Sequence, residues 1–376
     1  MHLSISTTKE ALLSPLAFVS GAADQRATLP IFGTTLIKTV QGKLSLLCSD
    51  GAVLARSMAE CKVEKEGEIA VDARRLGDLL RAMPEKQAIS LSIDKEQLLV
   101  KAGRSRFKLP VHAANEYPTM AASNEGMVTI QIGSKRLGEM VDEVSHAMGV
   151  SDVRSYLNGT YLTLKDGALW AVATDGHRMA ISREVISGSE KITANEVIIP
   201  RKSAQLARKL LATSNENVTL VFGNKEFRLQ FKDGTVLLSK CLEGKFPDWQ
   251  RVVPQSPNTS KVVTDKLRTA LTMIRATIDN SGASKKNATR RACSFVFGKT
   301  GIAISHADVA SSEVEADSDD ASNERVSLNV DYIADAADAV STGDAVRFGF
   351  EDGSKPVTVR PAEADYPLLV VMPMKD

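Results

Sequence analysis

The chain has 376 residues, 43% of them hydrophobic and 25% charged, with a net charge of +1 that argues neither for nor against a nucleic-acid partner. Aromatic residues make up only 5%, which speaks against a platform for stacking single-stranded bases. Cys48, Cys61, Cys241 and Cys293 lie far apart with no CxxC, so neither a disulfide framework nor a zinc site is expected, and no signal-peptide pattern or bilayer-length apolar run points away from the cytoplasm.

In chain order, residues 8–20 show helical spacing with an expected bend at Pro15. Short alternating strands follow, with turns at Gln41-Gly42 and Asp50-Gly51. Residues 68–83 pass from β-type residues through a helix start signal, Asp72, into helical spacing. The stretch closes on an aromatic-Pro pair in NEYPTM, residues 115–120. The same succession then recurs. Its second passage has a helix at 134–148, a strand-to-helix join at 196–211 opened by Pro200, and GKFPDW at 244–249. Its third has a helix at 264–278, a join at 325–340 opened by Asn329, and ADYPLL at 364–369. Tyr117, Phe246 and Tyr366 are spaced by 129 and 120 residues, too far for a solenoid. The expectation is an α+β chain of three tandem copies of one domain, each with two helices packed on antiparallel sheet. The boundaries fall in the linker-like segments 121–126 and 254–259, giving domains 1–125, 126–256 and 257–376.

Charge is unevenly shared. Residues 1–125 hold 16 Lys/Arg against 14 Asp/Glu, residues 126–256 hold 17 against 14, and residues 257–376 hold 14 against 18. A basic front and an acidic back can attract each other between subunits, head to tail, and such a contact makes a ring if the rotation closes. The six helical stretches together sum to only +3, with +4 at 201–211 and a net −1 over the other five. Charge alone would not identify a DNA-binding surface here.

Residues 171–180, AVATDGHRMA, read as strand, tight turn and strand around Asp175-Gly176. The turn needs its glycine but not the His177-Arg178 pair on its exit. Those two residues are either a solvated hairpin end or side chains presented to a ligand.

ATDGHR at 173–178, YLNG at 156–159, PRK at 200–202, FPD at 246–248 and VVMPM at 370–374, with TLPI at 28–31 and GRSRF at 103–107, run in register along the whole chain. Together they resemble the bacterial DNA polymerase III β subunit family, the replicative sliding clamps. The resemblance implies a homodimer closed head to tail into a six-domain ring. It implies a processivity factor for a DNA-directed DNA polymerase that encircles duplex DNA without catalysis, cofactor or metal. Implied partners are the DNA polymerase III α subunit, other polymerases, the clamp-loader δ subunit and repair proteins carrying a short apolar peptide. The peptide pocket, between the second and third domains, would be built by Leu157, Thr174, Gly176, His177, Arg178 and Met179, by Pro247, Arg251 and Val252, and by Val370, Val371, Met372, Pro373 and Met374. Its Met and Val content suits adaptable apolar ligands. His177 and Arg178 would orient the polar end of the peptide. Pro356 sits near a further pocket position of the family, and one pocket residue within 280–291 is unassigned. Arg26 and Tyr156 match family positions that touch DNA, and Arg201, Lys202, Arg208, Lys209, Arg268 and Arg275 would add phosphate contacts. The dimer would pair an edge strand at 100–109, with Arg104, Arg106, Phe107 and Leu109, against 310–316, with Glu313 and Glu315, while Thr277 and Ile278 pack on Phe107 and Leu109.

Two other readings compete. A hydrolase using Asp175 and His177 lacks any Ser or Cys nucleophile in a recognisable setting. Gly298-Lys299-Thr300 ends like a phosphate loop but lies in a strand–turn–strand pattern. A peptide-binding adaptor that forms no ring is the second rival.

Overall fold

Six times a strand runs directly into a helix, and that join is the repeating unit of the chain. Ser4–Thr8 enters α1 (Lys9–Val19), Glu68–Asp72 enters α2 (Ala73–Ala82) and Val128–Gly133 enters α3 (Ser134–Ser145). Asn195–Pro200 enters α4 (Arg201–Leu211), Asn258–Val263 enters α5 (Thr264–Asn280) and Glu324–Asn329 enters α6 (Val330–Ala339). The last strand residue often caps the helix. The hydroxyl of Thr8 accepts from Ala11 N at 3.3 Å, Asp72 Oδ1 from Arg75 N at 2.7 Å and Asn329 Oδ1 from Asp331 N at 2.9 Å. Pro200 is the last residue of its strand and precedes the helix proper. This computed structural model describes residues 2–118, 120, 125–190, 195–280, 291–319, 323–340 and 343–374. The pocket position expected within 280–291 and most of the 121–126 linker lie outside the described residues.

The chain divides into two compact units, 1–138 with 202–241, and 139–201 with 242–376. The first is built on a thirteen-stranded antiparallel sheet running from Val128–Gly133 at one edge to Lys62–Lys65 at the other. The second is built on twelve strands, from Asn195–Pro200 to Glu324–Asn329. The middle third of the sequence keeps no sheet to itself and lends four strands to each. In the first unit the splice is Val236–Lys240 on Val53–Ala59, and in the second it is Arg178–Val185 on Leu368–Val371. Buried stripes on the helices cover one face of the sheets: Leu76 and Leu80 on α2, Leu206 and Leu210 on α4, Ile333 and Ala337 on α6. Each large aliphatic side chain buried this way contributes roughly 1.5–3 kcal/mol.

Two strands of opposite charge are among those paired along only part of one side. Within Ser105–His112, residues 105–110 pair with Gln97–Ala102, and only Val111 and His112 meet Glu68–Asp72. Within Ala310–Ser318, residues 310–315 pair with Gly301–His306, and only residues 316–318 meet Asn258–Val263. The expected edge at 100–109 is therefore corrected. Val100 is fully buried in an interior strand, and the open stretch is 105–110. Gly298-Lys299-Thr300 does sit between two strands, with no helix following, so no phosphate loop forms there.

Candidate functional site

The 171–180 stretch forms the expected hairpin, Ala168–Thr174 and Arg178–Val185, inside the second unit. Asp175 Oδ1 accepts from the backbone N–H of His177 at 2.9 Å and of Arg178 at 3.0 Å, while Thr174 Oγ1 accepts from Gly176 N at 3.1 Å. Gly176 has φ +89°, where a side chain would be strained. The C-terminal strand Leu368–Val371 lies alongside, Arg178 opposite Val371 and Met179 opposite Val370. Beyond it Met372 N donates to His177 O at 2.9 Å and Met374 N to Ser327 O at 2.8 Å, which fixes the tail as a wall beside the turn.

The cleft has a buried floor and an exposed rim. Leu157, Met179 and Val370 belong to one apolar cluster with Tyr161, Val172 and Phe246. Phe246 stacks on Tyr161 with centroids 4.7 Å apart, and Trp170 packs against Trp249 at 5.3 Å and Tyr366 at 5.4 Å. His177, Gly176, Pro247, Arg251, Val252 and Met372 are exposed, while Thr174, Pro373 and Met374 are half-buried. Arg251 pairs with its neighbour Asp248, at 2.8 Å. An exposed methionine and valine over an apolar floor can accept an apolar side chain, and the exposed His177 can meet its polar end.

Two expected members play other parts. Val371 is buried, and alternation along the strand turns it to the face opposite Val370, so it offers the cleft only its backbone. Arg178 is held from within. Its Nε lies 3.1 Å from Asp175 Oδ2, Nη1 2.5 Å from Asp335 Oδ2, and Nη2 donates to His146 O at 2.5 Å. The guanidinium also stacks over Tyr332, 4.3 Å from the ring centre. With three of its five N–H donors given to Asp175, Asp335 and the His146 carbonyl, Arg178 first of all positions the turn on α6. Tyr332, Asp335 and His146 escaped sequence reading because two lie on α6, seen there only as an acidic helix, and His146 had no motif around it. His146 is pushed down to about 4, first by burial and then by the adjacent Arg178. The Asp175 carboxylate is spent on backbone N–H groups and Arg178, so it does not form an acid–base dyad with the His177 ring.

The basic residues expected at DNA separate into two groups. Arg201 donates to Met148 O at 3.1 Å, Lys202 lies 2.6 Å from Asp50, Arg268 3.0 Å from Asp338 and Arg275 2.9 Å from Asp331. These four tie elements together first, and any phosphate contact competes with those bonds. Arg26, Arg208 and Lys209 are exposed, whereas Tyr156 is half-buried against the Phe246 cluster.

At the part-open strands, Arg104, Arg106 and Phe107 are exposed on one, and Glu313 and Glu315 on the other. Leu109 is half-buried, and Glu315 is paired with Lys266. Ile278 is fully buried within its own unit, so it cannot pack on Phe107 and Leu109 of another chain, while Thr277 is exposed.

Three family models cover the chain in order: the N-terminal domain of the DNA polymerase III beta subunit on residues 1–121, its central domain on 131–248 and its C-terminal domain on 299–375. The beta sliding clamp of Pseudomonas aeruginosa is 34% identical over the whole of both chains. The chain belongs to the DNA polymerase III beta subunit family. The beta sliding clamp of Vibrio cholerae is 30% identical over 97% of each chain. The crystal structure of the Pseudomonas aeruginosa sliding clamp bound to griselimycin matches over the whole of both chains with a TM-score of 0.90 at 30% identity. A Thermotoga maritima beta subunit shares the fold at a TM-score of 0.88 and 20% identity. For this beta subunit the family carries a non-catalytic role in replication, with DNA and a polymerase as partners and dimerisation. Among the described residues no helix is long and apolar enough to cross a membrane.

Proposed function

We propose that two copies of this chain close head to tail around duplex DNA as a replicative sliding clamp, each copy carrying clamp domains 1–125, 126–256 and 257–376. The observation that carries the closure is the pair of part-open strands of opposite charge, 105–110 with Arg106 and the preceding turn's Arg104, and 310–315 with Glu313 and Glu315. Pairing them between copies satisfies backbone groups that would otherwise face water and leaves no adhesive edge at that place. A closed ring stays on DNA by linkage, so the exposed Arg26, Arg208 and Lys209 need only weak, sequence-independent phosphate contacts.

The cleft floored by Leu157, Met179 and Val370 and rimmed by His177, Pro247, Val252 and Met372 receives the apolar end of a partner peptide. Burying one large apolar side chain there is worth roughly 1.5–3 kcal/mol. The tail 372–374 supplies main-chain groups for an extended ligand. The DNA polymerase III α subunit, other polymerases, the clamp-loader δ subunit and repair proteins are the expected carriers of such a peptide.

Retention on circular DNA, lost when the DNA is linearised, tests the ring, and sedimentation tests the dimer. The dimer should weaken as salt rises. A monomer at micromolar concentration and low salt overturns it. Met372→Ala combined with Met374→Ala should lower the affinity of a Gln-x-x-Leu-Phe peptide at least tenfold. Unchanged affinity in that titration removes the cleft assignment.

A further inference from the structure

The peptide cleft has an internal counterpart that the family comparison leaves without a role. In the first unit, the hairpin Lys43–Ser49 and Val53–Ala59 turns at Asp50-Gly51 and joins Val236–Lys240. Its register repeats that of the second unit. Leu54 lies opposite Leu238 as Met179 lies opposite Val370. Leu47 lies opposite Arg56 as Val172 lies opposite Ile181, and Leu36 lies opposite Leu47 as Tyr161 lies opposite Val172. Tyr117-Pro118 stands where Phe246-Pro247 stands, and Met120 falls at the place of Trp249.

At this place the first unit has a cavity of about 300 Å³, walled by Leu36, Leu47, Leu54, Leu238, Pro118 and Met120. The cavity follows from the substitutions. Leucine replaces the Tyr161 ring and methionine the Trp249 indole, so the aromatic filling of the second cleft is missing. A void of this size lies at the lower end of small-ligand sites. Two cationic side chains, Arg56 and the largely buried Arg228, also line it, and among the described residues no acidic side chain does. Apolar walls whose charged members are both cationic complement a ligand that carries an apolar side chain next to a carboxylate.

We propose that this cavity is a second peptide-docking site, which takes a bulky apolar side chain flanked by an acidic residue. The proposal takes its class of ligand from the reading of the first cleft as a peptide site, but its geometry is independent of that reading.

Methyl-labelled methionine in the full-length chain reports the two sites separately, with Met120 in the proposed site and Met372 and Met374 in the other. Met120→Ala assigns the first signal. Titration with the acetylated, amidated peptide Asp-Leu-Phe should shift the Met120 methyl resonance saturably. Arg56→Glu, at an exposed position, should weaken that curve at least tenfold while leaving the Met372 curve in place, and Asn-Leu-Phe should bind Met120 at least threefold more weakly than Asp-Leu-Phe. A Met120 signal that stays still while Met372 saturates overturns the proposal, as does a Met120 curve indifferent to Arg56→Glu. So does a Met120 shift that follows protein concentration alone, which would mean that a second copy of the chain fills the cavity. Movement of Met120 with Met372 unmoved would sink the reading of the other cleft and sustain this one.

Discussion

The hairpins that turn at Asp50-Gly51 and at Asp175-Gly176 share their local chemistry and differ in what they are tied to. In both, a hydroxyl accepts from the glycine N–H at 3.1 Å, from Ser49 in one and Thr174 in the other. In both, the aspartate accepts from the next two backbone N–H groups, at 2.9 and 2.7 Å for Asp50 and 2.9 and 3.0 Å for Asp175. Gly51 and Gly176 share a positive φ, +85° and +89°. Beyond the turn they diverge. Asp50 receives Lys202 from α4 at 2.6 Å, and that ammonium also donates to Ala22 O and Ala23 O. Asp175 receives Arg178 from its own turn, and the arginine carries the connection on to α6. A duplicated backbone device therefore tolerates either wiring. What distinguishes the two clefts is the side chains around the turn: a flexible, partly exposed cation in one and a planar, nearly enclosed one in the other.

The sharpest way to break this comparison is Arg178→Ala. With its side chain only 14% exposed, its loss strands Asp175, Asp335 and the His146 carbonyl, and should cost ~3 kcal/mol or more in urea unfolding. Next is acid. His146 binds its proton at about 4 in the folded chain and near the ordinary 6.5 when unfolded, so the unfolded state gains protons first as pH falls. Stability should be full above pH 6.5 and decline between 6.5 and 4, by up to ~3 kcal/mol. His146→Gln should flatten that slope, and Arg178→Ala should narrow the window from its acid end because it removes a cation beside the ring.

The aromatic pair gives a smaller contrast. Tyr117 OH accepts from Ser49 N at 2.9 Å and donates to Thr34 O at 3.2 Å, so Tyr117→Phe should lose ~1–2 kcal/mol. Phe246 stacks on Tyr161 and needs no such bond, so Phe246→Tyr should gain nothing and lower the melting temperature. Lys202→Met should cost least, ~1 kcal/mol or below, because its side chain is 41% exposed and shares its charge with water. Equal losses at Lys202 and Arg178 would erase the distinction drawn here.

Much of the fold was legible because its signals are local. Asp72 and Asn329 announced helix starts through their caps, and the Asp-Gly dipeptides announced the hairpins. The threefold repeat showed through aromatic-Pro pairs that now lie in or against apolar clusters. What escaped reading is what forms between segments distant in sequence. The middle third divides its strands between two sheets, and nothing in residues 126–256 signals that division. The cleft's residue types were visible, but strand alternation separates Val371 from Val370, and no spacing rule links Arg178 to Asp335, 157 residues away. Ile278 shows the same limit: helical periodicity marks it as apolar without saying which surface it covers.

Under the closure proposed above, the part-paired strands at 105–110 and 310–315 reverse the usual advice for keeping a protein well behaved. Each chain taken alone then leaves both of these backbone rows uncovered, and the second copy hides them. Thinning the solution, ordinarily the remedy for clumping, becomes the step that bares them.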